Sequence, residues 1–246
     1  MIEEFSYTEY RRILERFQPK MKDFQDIDCS TSEFCILRHD VEFSIERALK
    51  MAKIDNEYGI RSSFFVQVLN TAYNPLSVFN NKLLKQIESL GHYIGLHFYV
   101  SNIEEGDVIT LQQELIRQTE ILQACVDKKI DRFSYHRPPK WTLKLDTSKF
   151  SELINAYSYP YFEFIENGLP SKVKYIADSN HRWNYDHPLN IKNYRCFQLL
   201  IHPDEWSISG GDAVQNFSDI INEARERFIH NIDSEYKTFA EIRKFL

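Results

Sequence analysis

Short apolar runs alternate along this chain with longer stretches whose apolar residues recur at helical spacing. Phe34 to Leu37 is an uninterrupted apolar run ending in the polar cluster Arg38-His39-Asp40-Val41-Glu42, which reads as a buried strand with chemistry at its end. Ser44 then stands as a helix cap before the stripe Ala48, Leu49, Met51, Ala52 and Ile54, and Gly59 stands where a helix stops. The unit repeats: a strand over Ser63 to Val68, a helix through Leu83, Leu84, Ile87 and Leu90, a strand from His92 to His97, and a helix from Leu111 to Val126. Further strands are expected near Phe133 to His136, Val173 to Ala177 and Phe197 to His202, with helices near Lys149 to Ala156 and Ala213 to Phe228. An amphipathic helix around Tyr10 to Phe17 opens the chain. Such alternation predicts an α/β fold with parallel strands under covering helices, whose functional residues collect at the strand ends.

Composition narrows the function. At 246 residues, with no Pro-, Gly- or Ser-rich linker and no internal repeat, one domain over 1–246 is expected, helices 7–18 and 213–246 packing on it. A net charge of −6 argues against a non-specific nucleic-acid binder, which needs surplus Lys and Arg. The opening MIEEFSYTEYRRILERF is acidic where a secretory leader is basic, and no apolar run has membrane-spanning length, so a cytoplasmic protein without a transmembrane segment is expected. Cys29, Cys35, Cys125 and Cys196 show no CxxC spacing and suit reduced thiols.

The polar residues at strand ends suggest hydrolysis. Asp40 and Glu42, two apart, project to one face, where one carboxylate can ligate a metal and the other accept a proton; alternatively one caps the following helix. His97 ends its strand and suits a ligand or a core histidine, whereas His92, at the opposite end, suits a structural role. His202 ends another buried strand and is a candidate general acid; Asp178 could orient a histidine or start a turn. In SYHRPP, Arg137 can grip a carboxylate bidentately. Tyr135, Trp141, Trp183 and Trp206 lie beside these positions and could stack on sugar rings or serve the core.

The segments LRHDVE, GHYIGLH, SYHRPP, ADSNHRW and LLIHP resemble, in order, the five motifs of the NodB-homology polysaccharide deacetylases, carbohydrate esterase family 4, over residues 34–206. The resemblance implies a distorted (β/α) barrel of about seven parallel strands, a divalent metal, usually zinc, and hydrolysis of the N-acetyl group of an amino sugar. It assigns Asp40 as base, Arg137 as the arginine holding it, Asp178 as the aspartate tuning the acid, His202 as the acid, and Glu42 and His97 as metal ligands. Ser101 stands where the family's HxxxH motif has its second histidine, and Glu42 where an Asp is usual. His136 is the expected replacement ligand and His39 the second candidate, although strand alternation opposes His136 to Arg137 and His39 to Asp40. The expected substrate is a small-molecule, nucleotide-linked or lipid-linked amino sugar on its way to a surface polysaccharide. Two rivals are a metal-independent C–N amidohydrolase of the same superfamily and an inactive carbohydrate-binding barrel.

Overall fold

The computed structural model describes residues 4–164 and 171–245. Helix α1 (Tyr7–Phe17) starts at Ser6, whose side chain accepts the Glu9 N–H, and buries Tyr10, Ile13, Leu14 and Phe17 along one face. Strand β1 (Phe34–Val41) is buried along its whole length, as a central parallel strand covered on both faces must be. Ser44 caps α2 (Ile45–Glu57) by accepting the Arg47 N–H, and Gly59 at φ +66° ends it in a conformation that costs glycine nothing. Then follow β2 (Ser63–Val66), α3 (Val78–Ser89), β3 (Tyr93–Tyr99), α4 (Val108–Gln123), β4 (Arg132–His136), α5 (Lys140–Leu143) and β5 (Ile154–Asn155). Strands β6 (Val173–Ala177) and β7 (Cys196–Ile201) and helices α6 (Ala213–Glu235) and α7 (Phe239–Ile242) complete the order. Among the described residues, no helix is long and apolar enough to cross a membrane.

The seven strands form one parallel sheet in the order β5-β4-β3-β2-β1-β7-β6. Five strand steps separate β5 from β7, about 24 Å if the sheet were flat. Yet the Gln198 amide on β7 donates to the carbonyls of Ala156, just past β5, and Tyr161 at 2.8 and 3.1 Å, and the Tyr157 and Tyr175 rings lie 6.4 Å apart. The sheet therefore curls into a distorted barrel whose edge strands approach each other, as the sequence resemblance implies.

Alternation along β1 sorts the layers. Cys35, Leu37 and Val41 face outward into the core shared with α1 and α2. Phe34 and Ile36 face inward, where Phe24, Phe65, Val173 and Cys196 join them to fill the N-terminal end of the barrel. Burying a Phe such as Phe24 stabilises the fold by roughly 1.5–3 kcal/mol, and the filled end leaves the interior open at the strands' C-terminal side.

One expectation fails locally. The helix expected near Lys149 to Ala156 is a 3-10 turn over Thr147–Lys149 followed by β5. Pairing overrides propensity there, because the Ile154 and Ala156 N–H groups satisfy the Asp131 and Phe133 carbonyls at the β4 edge, at 2.8 and 2.9 Å. The aromatic residues that follow β5 make turns that bring Tyr157 and Phe162 to the barrel mouth; residues 165–170 lie outside the described residues.

Candidate active site

The period of two that places Phe34 and Ile36 inside also carries Arg38, Asp40 and Glu42 inward, each one layer nearer the open end. Arg38, wholly buried, is fixed from three sides. Its guanidinium donates to Asp40 Oδ2 at 2.9 Å, to the Tyr157 hydroxyl at 2.8 Å and to Gln198 Oε1 at 3.1 Å, and it lies 4.5 Å over the Tyr157 ring. Gln198 is tied in turn to the Ala156 and Tyr161 carbonyls, so a chain of hydrogen bonds anchors Asp40 to the barrel wall. The Ser134 hydroxyl donates to Asp40 Oδ1 at 3.3 Å. Burial works to raise the Asp40 carboxyl, but the Arg38 guanidinium, with His97 and His202 behind it, holds it below its usual range and ionised. Gly95 makes room below this layer: a Cβ there would stand 2.7 Å from the Phe65 ring and the Arg132 Cγ.

Glu42, His97 and His136 converge beside Asp40. Glu42 Oε1 is 3.1 Å from His136 Nδ1 and 3.6 Å from His97 Nε2, and the two ring nitrogens are 3.2 Å apart. A tetrahedral ion with ligands at about 2.0–2.1 Å separates its ligand atoms by about 3.3 Å, so the spacing fits a small divalent cation. Two imidazoles and one carboxylate form a donor set known from catalytic zinc sites, with a coordination position left for substrate or water. His97 Nδ1 lies 2.8 Å from the Ser134 hydroxyl, which fixes the ring and leaves Nε2 facing the cluster. Burial works to raise Glu42, but hydrogen bonds to His136 and His97 hold it well below the usual carboxylate range. The loop carrying Glu42 is pinned by Asp204, whose Oδ2 accepts the Glu42 and Phe43 N–H groups at 3.1 and 3.0 Å; Asn70 donates to the Glu42 carbonyl at 2.7 Å. Burial pushes Asp204 up to about 7 despite those two donors.

His202 sits at the end of β7, with Nδ1 2.6 Å from Asp178 Oδ1. Asp178 also accepts the His202 backbone N–H at 3.0 Å and the Trp206 indole N–H at 2.7 Å, so the carboxylate is locked before it orients the ring. Burial disfavours the imidazolium, but Asp178, by charge and hydrogen bond, with Glu42 and Asp40 behind it, outweighs burial and pushes His202 up to about 10. Asp40, His97 and His202 open together into a cavity of about 1100 Å³, walled by Tyr135, Tyr157 and Tyr175.

Several sequence expectations are corrected in detail. The guanidinium on Asp40 belongs to Arg38; Arg137, at φ +48°, leaves the strand and stands exposed at the cavity rim. That same backbone turn separates it from His136, which keeps the inward register of Arg132 and Ser134. His39 points outward to Asp55 at 2.8 Å and stacks on Phe64, so it is no ligand candidate. Ser101 lies in an exposed turn two residues beyond β3. Of the four aromatic stacking candidates only Tyr135 lines the cavity: Trp206 is buried beneath Asp178, Trp183 stacks on Phe5, and Trp141 packs on the outer core. Arg38 and Ser134 were not singled out, although the alternation that pairs Asp40 with Glu42 also aligns Arg38, and that of His136 aligns Ser134. Asp204 gave no such signal, since its contact is with backbone distant in sequence.

No family model and no curated protein matches the chain. Among solved structures it is similar to a mutant of a CE4 family pseudoenzyme from Bacillus anthracis with restored enzymatic activity: 13% identity, TM-score 0.49, covering 82% of this chain and 69% of that one. A family 4 carbohydrate esterase from Bacillus anthracis gives 18% identity and a TM-score of 0.42 over 89% and 86% of the two chains. The chitin deacetylase from the fungal pathogen Colletotrichum lindemuthianum gives 15% and 0.43 over 80% and 85%.

Proposed function

We propose that this protein is a metal-dependent deacetylase of the NodB-homology type, hydrolysing the N-acetyl group of an amino sugar with zinc as its ion. The observation that carries the reading is the convergence of Glu42, His97 and His136 at tetrahedral spacing beside a buried, ionised Asp40. A divalent ion held by those three side chains supplies Lewis acidity toward an acyl carbonyl and a water. Asp40, kept deprotonated by Arg38, takes a proton from the attacking water. His202, kept protonated by Asp178, delivers a proton to the departing amine nitrogen from the same cavity. A base already ionised and an acid already charged at neutral pH are what amide hydrolysis needs, and their environments set the two roles apart.

The test is metal content together with acetate release from an N-acetylglucosaminide. Protein purified without chelator is expected to carry about one zinc per chain and to release acetate, EDTA to abolish the release, and zinc to restore it. Both His136→Ala and Glu42→Gln are expected to lose the ion and the activity together. Metal-free protein whose hydrolysis ignores EDTA would transfer the chemistry to a metal-independent amidohydrolase, and zinc-loaded protein inert toward every N-acetyl sugar would leave an inactive binding barrel.

A further inference from the structure

Helix α6 leaves an apolar stripe uncovered. Val214, Phe217, Ile221 and Phe228 fall on one face of the helix and are 80, 41, 66 and 66% exposed. The neighbouring face is fixed to the barrel: Asn216 donates to the Asp204 carbonyl and accepts from Arg47, Ile220 is buried, and Glu223 pairs with Arg47. The helix is thus held in place while presenting its large apolar side chains outward. Beside them runs a groove of about 400 Å³ lined by Ala213, Val214, Phe217, Ser218, Ile221 and Asn222, without a charged side chain.

The groove is continuous with the candidate active site. Phe217 lines both it and the main cavity, and Phe43, next in sequence to Glu42, meets the Phe217 ring edge-on at 6.3 Å. An apolar path therefore leaves the cavity one residue from the Glu42 carboxylate and continues along α6. From Val214 to Ile221, the span its lining covers, it is about 10 Å long, seven residues at 1.5 Å each, and only one ridge wide, with the hydrogen-bonded pair Gln215 and Asp219 on the polar side. A stable protein interface needs roughly 20 to 30 residues a side, far more than this ridge offers. A nucleotide diphosphate would need cations that the lining lacks.

From this continuity we infer that the α6 groove binds the apolar chain of a lipid-linked amino sugar, whose N-acetylated ring occupies the main cavity. The inference rests on the deacetylase reading for the ring and on the groove alone for the chain. It predicts that zinc-loaded protein prefers octyl over methyl N-acetyl-β-glucosaminide in kcat/KM on the order of 100-fold, since seven further methylenes enter a half-open groove. Val214→Ser and Ile221→Ser, at well-exposed positions, are expected to cut that ratio about tenfold each, whereas Asp219→Ser on the polar side leaves it unchanged. Saturable binding of octyl glucosaminide, followed by calorimetry and weakened by Ile221→Ser, is expected whether or not hydrolysis occurs. If neither glycoside is hydrolysed but that binding and its loss are observed, the deacetylase reading fails and the groove stands. Equal kcat/KM for the two glycosides, a dimer that Ile221→Ser dissolves, or binding to phosphatidylcholine vesicles that octyl glucosaminide does not displace would each overturn the proposal.

Discussion

Removing the charge from Asp178 tests how the candidate acid is held. Asp178 is the foremost favourable influence that keeps His202 protonated against burial, raising it from 6.5 to about 10. At 1.36 kcal/mol per pH unit that rise amounts to roughly 5 kcal/mol, an upper bound within the range of about 3–5 kcal/mol found when one partner of a buried pair is deleted. The sign follows from proton counts. Below pH 6.5 the folded and unfolded chains both carry the His202 proton, and the contribution is fully present. Between 6.5 and about 10 only the folded chain keeps it, so stability falls as pH rises through this window and the contribution is gone above about 10. In Asp178→Asn the side-chain amide can donate to a neutral His202 Nδ1 while its carbonyl oxygen still accepts the Trp206 N–H. The variant is therefore expected to fold, with His202 titrating well below its wild-type value because only the Glu42 and Asp40 charges then oppose burial. Histidine ring-proton NMR on metal-free protein in EDTA reads the two titrations directly, and urea unfolding from pH 6 to 10 reads the stability slope. The slope attributable to His202 should shrink in the variant, and kcat/KM for deacetylation at pH 8 should fall about 10²- to 10⁴-fold. A wild-type His202 that titrates near 6.5, or a variant with the wild-type stability slope, would refute the reasoning.

Four further outcomes are expected. Arg38→Met leaves the Asp40 carboxylate buried without its guanidinium, so the acidic limb of the pH–rate profile should move to higher pH and stability should drop by about 3–5 kcal/mol; an unmoved limb would reassign the base. Gly95→Ala drives a methyl into the Phe65 ring and the Arg132 stem, costing about 1–3 kcal/mol in urea unfolding; unchanged stability would show that the interior yields. Asp204→Ala frees the Glu42 and Phe43 N–H groups and should weaken zinc affinity about 10- to 100-fold by calorimetry, with Asp204→Asn intermediate because one acceptor remains; an unaltered affinity would deny Asp204 a positioning role. Tyr175→Ala should raise KM for an N-acetylglucosaminide several-fold, up to about tenfold, whereas Trp141→Ala should not, because only the tyrosine lines the cavity; the reverse pattern would restore the tryptophan to the binding wall.

What could be read from the sequence divides along a physical line. Periodicities of two and 3.6 register which face of an element is buried, so six of the seven strands and the caps at Ser44 and Gly59 were legible. Strand β5 was not, because two residues carry no period and it exists to satisfy the exposed edge of β4. The same division runs through the candidate site. Side chains related by strand alternation, such as Asp40 with Glu42, can be placed on one face from spacing alone. Contacts made across the barrel, such as Arg38 to Tyr157 and Gln198 to Ala156 and Tyr161, depend on the curl of the sheet, which no local pattern encodes. Arg137 and Arg38 show the consequence. Motif order assigns the carboxylate to Arg137, but a left-handed turn at that residue takes it to the rim, while Arg38 reaches Asp40 from two positions back on the same strand. The need for a buried cation beside a buried carboxylate is thus met by register instead of by the motif, and a parallel holds at Ser101, where the sequence resemblance places a histidine but the residue lies in an exposed turn. The inward register of β4 brings His136 beside Glu42 and His97, where the three side chains form a group that could hold a metal ion. In one case the partner comes from the same inward row and in the other from the inward row of β4, so the surroundings of the pocket are specified by the barrel interior as a whole more tightly than by any single motif.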